Sequence, residues 1–280
     1  MSPVNPSPPH TCSTPLGIVT DISFAAPASL DKNPWVVFVH GAMDRASGAR
    51  RLRRQLGEFN FVAFDRRGYD RSRQVTPDSS FESQLGDLDA VIQLILARDP
   101  AKICLVGHSH GALVVAHWLQ RSAQIGESGR VAGAVLWEPP APWEAFYQSS
   151  LGSSLLHGTP EAAAETFMKA VVGERLWTRM SPGAKALRLC EGVALRSDLA
   201  MSRANAEAPD FSRIAVPVTV GSGSASDSHH RLAAKWFADH IRHSRQCELE
   251  GADHGVHLSD PPAFARLISD SIGATSRAFD

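Results

Sequence analysis

The stretch Ile103-Cys104-Leu105-Val106-Gly107-His108-Ser109-His110-Gly111-Ala112-Leu113-Val114-Val115 decides how the rest of the chain is read. Its first half is a continuous apolar run, the pattern of a strand covered on both faces. Beyond it, Ala112, Val115, Ala116, Trp118 and Leu119 place small and apolar residues at helical spacing. Between the two stands Gly-x-Ser-x-Gly. A strand, a sharp turn and a helix in that order form a nucleophile elbow. Gly107 and Gly111 let two backbones approach closely, and Ser109 is held in an exposed, strained turn. The pentapeptide alone recurs by chance in many chains, and the flanking elements are what give it meaning.

Strand and helix patterns alternate on the N-terminal side as well. A loose alternation over 16–24 suggests one or two edge strands. The run 35–39 is a buried strand that delivers His40-Gly41-Ala42-Met43 to its carboxyl end, and 46–56 reads as a basic helix. A second buried strand over 61–64 ends in the charged loop Asp65-Arg66-Arg67-Gly68-Tyr69-Asp70-Arg71-Ser72. The helix expected over 81–98 shows Leu85, Leu88, Val91, Ile92, Ile95 and Leu96 at helical spacing. The strand after the elbow helix, 131–137, ends at Glu138-Pro139-Pro140. This alternation predicts an α/β fold with a mostly parallel central sheet flanked by helices, whose ligands bind at the carboxyl ends of the strands. His40, Asp65, Ser109 and Glu138 all fall at such ends.

From 141 to 212 the alternation stops and helical patterns take over at 143–156, 160–172 and 184–194. Thr159 and Pro160 make a good helix start. Neighbouring strands need far shorter connections, so this surplus predicts a helical cap inserted between the strand ending at Glu138 and one starting near Ile214. The pattern then gives a strand to 220, a helix over 231–241, a short strand over 246–250 and a closing helix over 262–272. The expected organisation is a disordered tail (1–14), a core (15–140 and 213–280) and a cap subdomain (141–212).

At 280 residues and 43% hydrophobic, the chain is long enough to bury one large α/β core. Lysine plus arginine (28) balance aspartate plus glutamate (29), so no field steers it to nucleic acid or an anionic membrane, and a small-molecule substrate is expected. The first fourteen residues lack an apolar signal region and no later run is long enough to cross a bilayer, which predicts a cytoplasmic protein. Cys12, Cys104, Cys190 and Cys247 lack metal or redox spacing and read as free thiols.

A serine hydroxyl is a poor nucleophile until a base takes its proton, and the base in turn needs a carboxylate to hold its tautomer. On this type of sheet the chain order is serine, acid, histidine. His254, in Gly251-Ala252-Asp253-His254, lies between the last strand and the last helix and is the histidine expected to serve Ser109. His257 reads as a cap or pocket-wall residue. Asp253, His254 and His257 lack a third strong ligand at metal spacing, so no metal is expected.

Taken together, His40-Gly41, the 65–72 loop, Gly107-His108-Ser109-His110-Gly111 and Gly251-Ala252-Asp253-His254 resemble the α/β-hydrolase superfamily, specifically its group with a His-Gly oxyanion loop and a helical cap. The resemblance covers the chain from about residue 35 to its end. It implies an oxyanion hole made by the backbone N–H groups of Ala42 and His110, and a 65–72 loop that braces the structure rather than binding an anion. It also implies a serine hydrolase that cleaves a small, apolar carboxylic ester without cofactor. The same residues serve C–C bond, thioester and lactone hydrolysis, perhydrolysis or lyase chemistry in such folds, and a non-catalytic ligand-binding protein is the remaining alternative.

The acid departs from the commonest family pattern, in which an Asp follows the strand after the cap. Ser224 occupies that position here. Two carboxylates remain. Glu138 resembles in type and place the acid of a minority of the family, the haloalkane dehalogenases among them, although a serine nucleophile excludes their chemistry. Asp227 is the alternative, and it also suits a cap for the helix beginning near Ser228. His229-His230 reads as a solvated helix start, and Met43, Trp143, Phe146, Tyr147, Phe167 and Trp177 as candidates for an apolar pocket.

Overall fold

The computed structural model describes residues 9–25, 34–126, 128–147, 155–204 and 207–278. Eight strands form one sheet: β1 (His10–Ser13), β2 (Val19–Ser23), β3 (Trp35–Val39), β4 (Phe61–Phe64), β5 (Ile103–His108), β6 (Val131–Trp137), β7 (Val218–Gly223) and β8 (Ser244–Leu249). Their order is β1-β2-β4-β3-β5-β6-β7-β8, with β1 and β2 antiparallel at one edge and all later neighbours parallel. The central strands obey the period of two. Trp35, Val37, Ile103 and Leu105 pack on one face, whereas Val36, Phe38, Cys104 and Val106 pack on the other.

The first face is covered by α2 (Phe81–Leu96), α3 (His110–Ile125) and α8 (Ser228–His240), through residues such as Leu88, Val115 and Phe237. The second is covered by α1 (Arg50–Gln55) and α10 (Pro261–Ala278), through Leu52, Phe264 and Ile268, with the short α9 (Val256–Ser259) leading into α10. Between β6 and β7 lie α4 (Pro160–Val172), α5 (Glu174–Arg179), α6 (Pro182–Leu189) and α7 (Gly192–Ala204). Their apolar faces form a third cluster, in which Ala164, Met168, Trp177 and Leu195 pack over Met43 and Tyr69 of the core.

Several sequence expectations change. The tail expected over 1–14 includes β1, whose residues 10–13 pair with 19–22, so this part is an ordered edge strand. Residues 1–8 lie outside the described residues. The helix expected over 143–156 is, among the described residues, a single 3-10 turn at Ala145–Tyr147, with 148–154 outside them. Trp143 is drawn into the main core against Trp236 and Phe237. The helix expected over 184–194 is broken into α6 and α7 at Cys190-Glu191. Glu191 is buried there and binds Arg45, Arg188 and the Asp70 N–H. The sheet resumes at Val218 rather than Ile214, after a 3-10 turn at Phe211–Arg213. No described helix is long and apolar enough to cross a membrane.

The charged 65–72 loop is a brace. Asp65 accepts hydrogen bonds from the Ala46 N–H and from Arg71, and Arg67 is held by Asp87. Arg66 is buried and makes two hydrogen bonds to Asp198 of α7, at 3.0 and 2.7 Å, while its Nε donates to the His40 carbonyl and its Nη2 also donates to the Gly41 carbonyl. Tyr69 and Gln84 complete the shell around Asp198. A helix inserted between strands is thereby tied to the loop that carries Gly41 and Ala42.

Removing one member of such a pair leaves the other charge buried and alone. Asp198→Ala is therefore expected to lower unfolding free energy by about 3–5 kcal/mol, as read by urea denaturation at neutral pH. Burial alone would raise the Asp198 pKa, but Arg66 beside it holds the carboxyl below its ordinary value. Its stabilisation is thus complete above the ordinary carboxylate range and is lost as pH falls toward the depressed value. In acid titrations of stability, the wild type should show a steeper fall than Asp198→Asn.

Candidate active site

Ser109 sits at the join of β5 and α3 with φ 53° and ψ −125°, a conformation that an L-residue adopts only under constraint. Two contacts impose it. A Cβ on Gly111 would lie 2.2 Å from the Val39 carbonyl oxygen, and one on Gly107 would lie 2.4 Å from the Ala112 Cα, so only glycines allow helix and strands to close on this turn. The Ser109 N–H donates to the Trp137 carbonyl at 2.8 Å, which fixes the turn against β6. Loop 40–44 lies alongside, because a Cβ on Gly41 would come within 3.0 Å of the Ser109 Cβ.

Among the described residues, the N–H groups of Ala42 and His110 donate to no protein acceptor. The His110 imidazole is buried between Phe81, which it stacks on, and Ser202. Burial pushes its pKa down to about 4. Its main chain, not its side chain, is what it brings to the turn. His40 is likewise interior: its Nδ1–H donates to the Gly41 carbonyl and its Nε2 accepts the Arg66 N–H, which orients the loop.

Glu138 follows β6 with φ 45° and is fully buried. Its Oε1 accepts the Gly223 N–H at 2.8 Å, and its Oε2 accepts His254 Nδ1–H at 2.6 Å. The His254 carbonyl in turn accepts from His108 Nε2–H at 2.8 Å and from Trp137 Nε1–H at 3.2 Å. The ring of His230 stacks on that of His254, with centroids 4.0 Å apart and planes 14° from parallel. His230 Nδ1 stands 4.0 Å from Glu138 Oε2. Burial, then the neighbouring His254, His229 and His108, drive the His230 pKa far below its ordinary value, so the stacked ring is neutral. No hydrogen bond joins Ser109 to His254 among the described residues, yet both line one cavity of about 580 Å³. In unliganded sites such contacts are often loose and tighten with substrate.

The structure sorts the other sequence candidates. Asp227 occupies the N-cap position of α8, is exposed, and makes no cap bond and no bond to His254 among the described residues. Ser224 accepts the Gly251 N–H, bracing the loop that leads to His254. Met43 lines the cavity, but Trp143, Phe146 and Tyr147 do not: Trp143 is in the core, Phe146 is exposed, and Tyr147 packs on His229 and His230. Of the other candidates Phe167 lines the cavity, with Met168, Val171 and Val172 of the same helix α4, whereas Trp177 packs in the third apolar cluster. His230 is not a solvated helix start, and Asp44 passed unnoticed in the sequence. Nothing in the local pattern around either residue marks it, since each acquires its partner from a distant segment.

His257 lines the cavity wall and its Nε2 lies 2.9 Å from Asp44 Oδ2. Burial alone would raise the Asp44 pKa, but the hydrogen bond from His257 holds the carboxyl below its usual range. Two three-residue groups, Glu138 with His230 and His254 and Asp44 with His108 and His257, each bring one potential ligand atom per residue within 4.8 Å of the others. In both, a histidine nitrogen already occupies a carboxylate oxygen, at 2.6 Å in the first and 2.9 Å in the second.

An alpha/beta hydrolase family model matches residues 36–267. An alpha/beta hydrolase from Sphaerobacter thermophilus DSM 20745 is 25% identical, with 94% of this chain and 99% of that one covered and a TM-score of 0.66. An enol-lactonase from Burkholderia xenovorans LB400 (20% identity, 94% and 100% covered, TM-score 0.65) and an esterase from Rhodococcus sp. ECU1013 (20%, 96% and 100%, TM-score 0.64) share the fold. A search of curated proteins gave no match. With the sheet order, the strained Ser109 turn and a family match over most of its length, the chain belongs to the alpha/beta hydrolase family.

Proposed function

We propose that this protein is a serine hydrolase that cleaves a small, mainly apolar carboxylic ester through an acyl-enzyme. The observation that carries the reading is the 2.6 Å hydrogen bond from His254 to the buried Glu138, with His254 and the strained Ser109 lining one cavity. With Nδ1–H committed to Glu138, the His254 Nε2 carries a lone pair and can take a proton.

In the proposed mechanism, Ser109 Oγ attacks the ester carbonyl carbon and its proton passes to His254 Nε2. The N–H groups of Ala42 and His110 hold the oxyanion. Collapse breaks the bond to the leaving alcohol, whose oxygen takes the proton from His254. Water then attacks the acyl-enzyme, with His254 again as base, and releases the carboxylic acid and free Ser109. Glu138 stabilises the imidazolium formed at each step. Neutral His230, stacked on one face of His254, fixes the ring plane without competing for the Glu138 charge.

A fluorophosphonate probe should label the wild type and leave Ser109→Ala unlabelled. A folded wild type that resists labelling overturns the reading. A panel of short esters, thioesters and lactones, assayed for kcat/KM, should place esters first.

Glu138→Gln should lower kcat by up to about 10⁴ while preserving the fold by circular dichroism, and Asp227→Asn should leave kcat near wild type. The reverse pattern would move the acid to Asp227. His230→Ala should lower kcat roughly 10- to 10²-fold with little change in KM, as expected when a catalytic ring is misplaced. His230→Phe, which keeps a flat ring, should recover much of that loss.

A further inference from the structure

Three buried side chains, His40, Arg66 and Asp198, meet behind the peptide unit that joins Gly41 to Ala42. They come from the loop after β3, the loop after β4 and α7. None of them lines the Ser109 cavity, although Ala42 does.

Their hydrogen bonds leave this peptide one orientation. His40 Nε2 accepts the Arg66 N–H at 3.0 Å, so the neutral ring carries its proton on Nδ1, which donates to the Gly41 carbonyl at 2.7 Å. Burial, then the Arg66 charge, push the His40 pKa down to about 3 and keep the ring neutral. The second donor to the same carbonyl is Arg66 Nη2, at 3.2 Å. The other N–H groups of that guanidinium go to the His40 carbonyl, to Gln84 and to both Asp198 oxygens, at 2.7 to 3.0 Å. Every donor of the fork is thus placed, and the fork cannot turn without losing a bond.

In a trans peptide the C=O and the following N–H point to opposite sides of one plane. With the Gly41 carbonyl held inward by two donors, the Ala42 N–H faces the other way, toward the cleft that Ala42 lines. It donates to no protein acceptor among the described residues. Hydrogen bonds accepted by the carbonyl also polarise the N–H of the same unit.

We propose that His40, Arg66 and Asp198 are positioning residues for the oxyanion donor: by holding the Gly41 carbonyl they aim the Ala42 N–H at the charge that develops on the substrate oxygen. Through Asp198, a helix inserted between β6 and β7 becomes part of that device. The inference rests on the serine-hydrolase reading. An interaction realised only as the oxyanion forms acts on kcat rather than on KM.

Arg66→Lys keeps a cation beside Asp198 but lacks the planar fork. With a short ester it should lower kcat roughly 10- to 10²-fold, no more than the loss of a whole donor, and leave KM within about twofold. Affinity for an aryl trifluoromethyl ketone, to which Ser109 adds to form a hemiketal oxyanion, should fall by the same factor, while affinity for the matching methyl ketone should not change. His40→Ala should behave likewise, and His40→Asn, whose amide returns a donor, should recover much of the loss. Asp198→Asn should show the same split to a smaller degree. Asp87→Asn, which weakens the neighbouring Arg67 pair without touching the loop, should lower stability in urea and leave kcat in place. Wild-type kcat and ketone affinity in folded Arg66→Lys and His40→Ala, or a loss of kcat in Asp87→Asn as large as theirs, would overturn the proposal. Should Arg66→Lys fail to fold by circular dichroism, the two His40 variants decide. A wild type that the fluorophosphonate probe leaves unlabelled sinks the ester reading instead, so the two failures are distinct.

Discussion

At the centre of the fold Gly111 lies against the Val39 and His40 carbonyls, where a Cβ would stand 2.2 and 2.5 Å from the two oxygens. Because α3 can descend this far onto β3, the chain between β5 and α3 must reverse in a single residue, and Ser109 absorbs the strain at φ 53°. The strain is held by the surrounding packing: β5 is buried along its whole length, and the Ser109 N–H is tied to β6. The same contact sets the loop that follows β3 beside the serine. The strained Ser109 turn and, among the described residues, a pair of undonated N–H groups beside it thus follow from one steric fact.

Around that point the protein uses buried polar groups as struts between segments far apart in sequence. Arg66 and Asp198 tie the helices between β6 and β7 to the Gly41 carbonyl. Arg188 donates to the Met43 carbonyl and Glu191 gathers Arg45 and Asp70. His108 and Trp137 hold the His254 carbonyl, while Ser224 holds Gly251. Each strut is fully hydrogen-bonded on the side that matters, which is the condition under which buried polarity specifies a geometry. The inserted helices therefore do more than line the cleft, since they share the ion pair that holds the loop carrying Gly41 and Ala42.

Histidines gather at the cleft for the same reason. His108, His230, His254 and His257 arrive from β5, α8, the loop after β8 and α9, and successive rings in the row His257, His108, His254, His230 have centroids 4.0 to 4.9 Å apart. Burial favours the neutral form of His108 and His230. A neutral imidazole packs like a small aromatic ring while keeping one donor and one acceptor. Such a ring can brace a neighbouring imidazole, as His230 braces His254.

Local pattern determined the sheet, its parallel centre, the surplus of helix between β6 and β7, the placement of Ser109 and Glu138 at strand ends and that of His254 in the loop after the last strand, because the periods of buried strands and amphipathic helices are written in consecutive residues. Ser224 in place of the usual Asp was legible too, and it left two carboxylates open. Only the tertiary structure paired His254 with Glu138 and left Asp227 exposed, because a hydrogen bond across 116 residues depends on how β6 and the loop after β8 are brought together. It also moved Trp143 into the core, gave the cavity wall to α4, stacked His230 on His254 and joined Asp44 to His257. None of these contacts has a local signature. Each follows from the order of strands in the sheet and the volume left between packed layers.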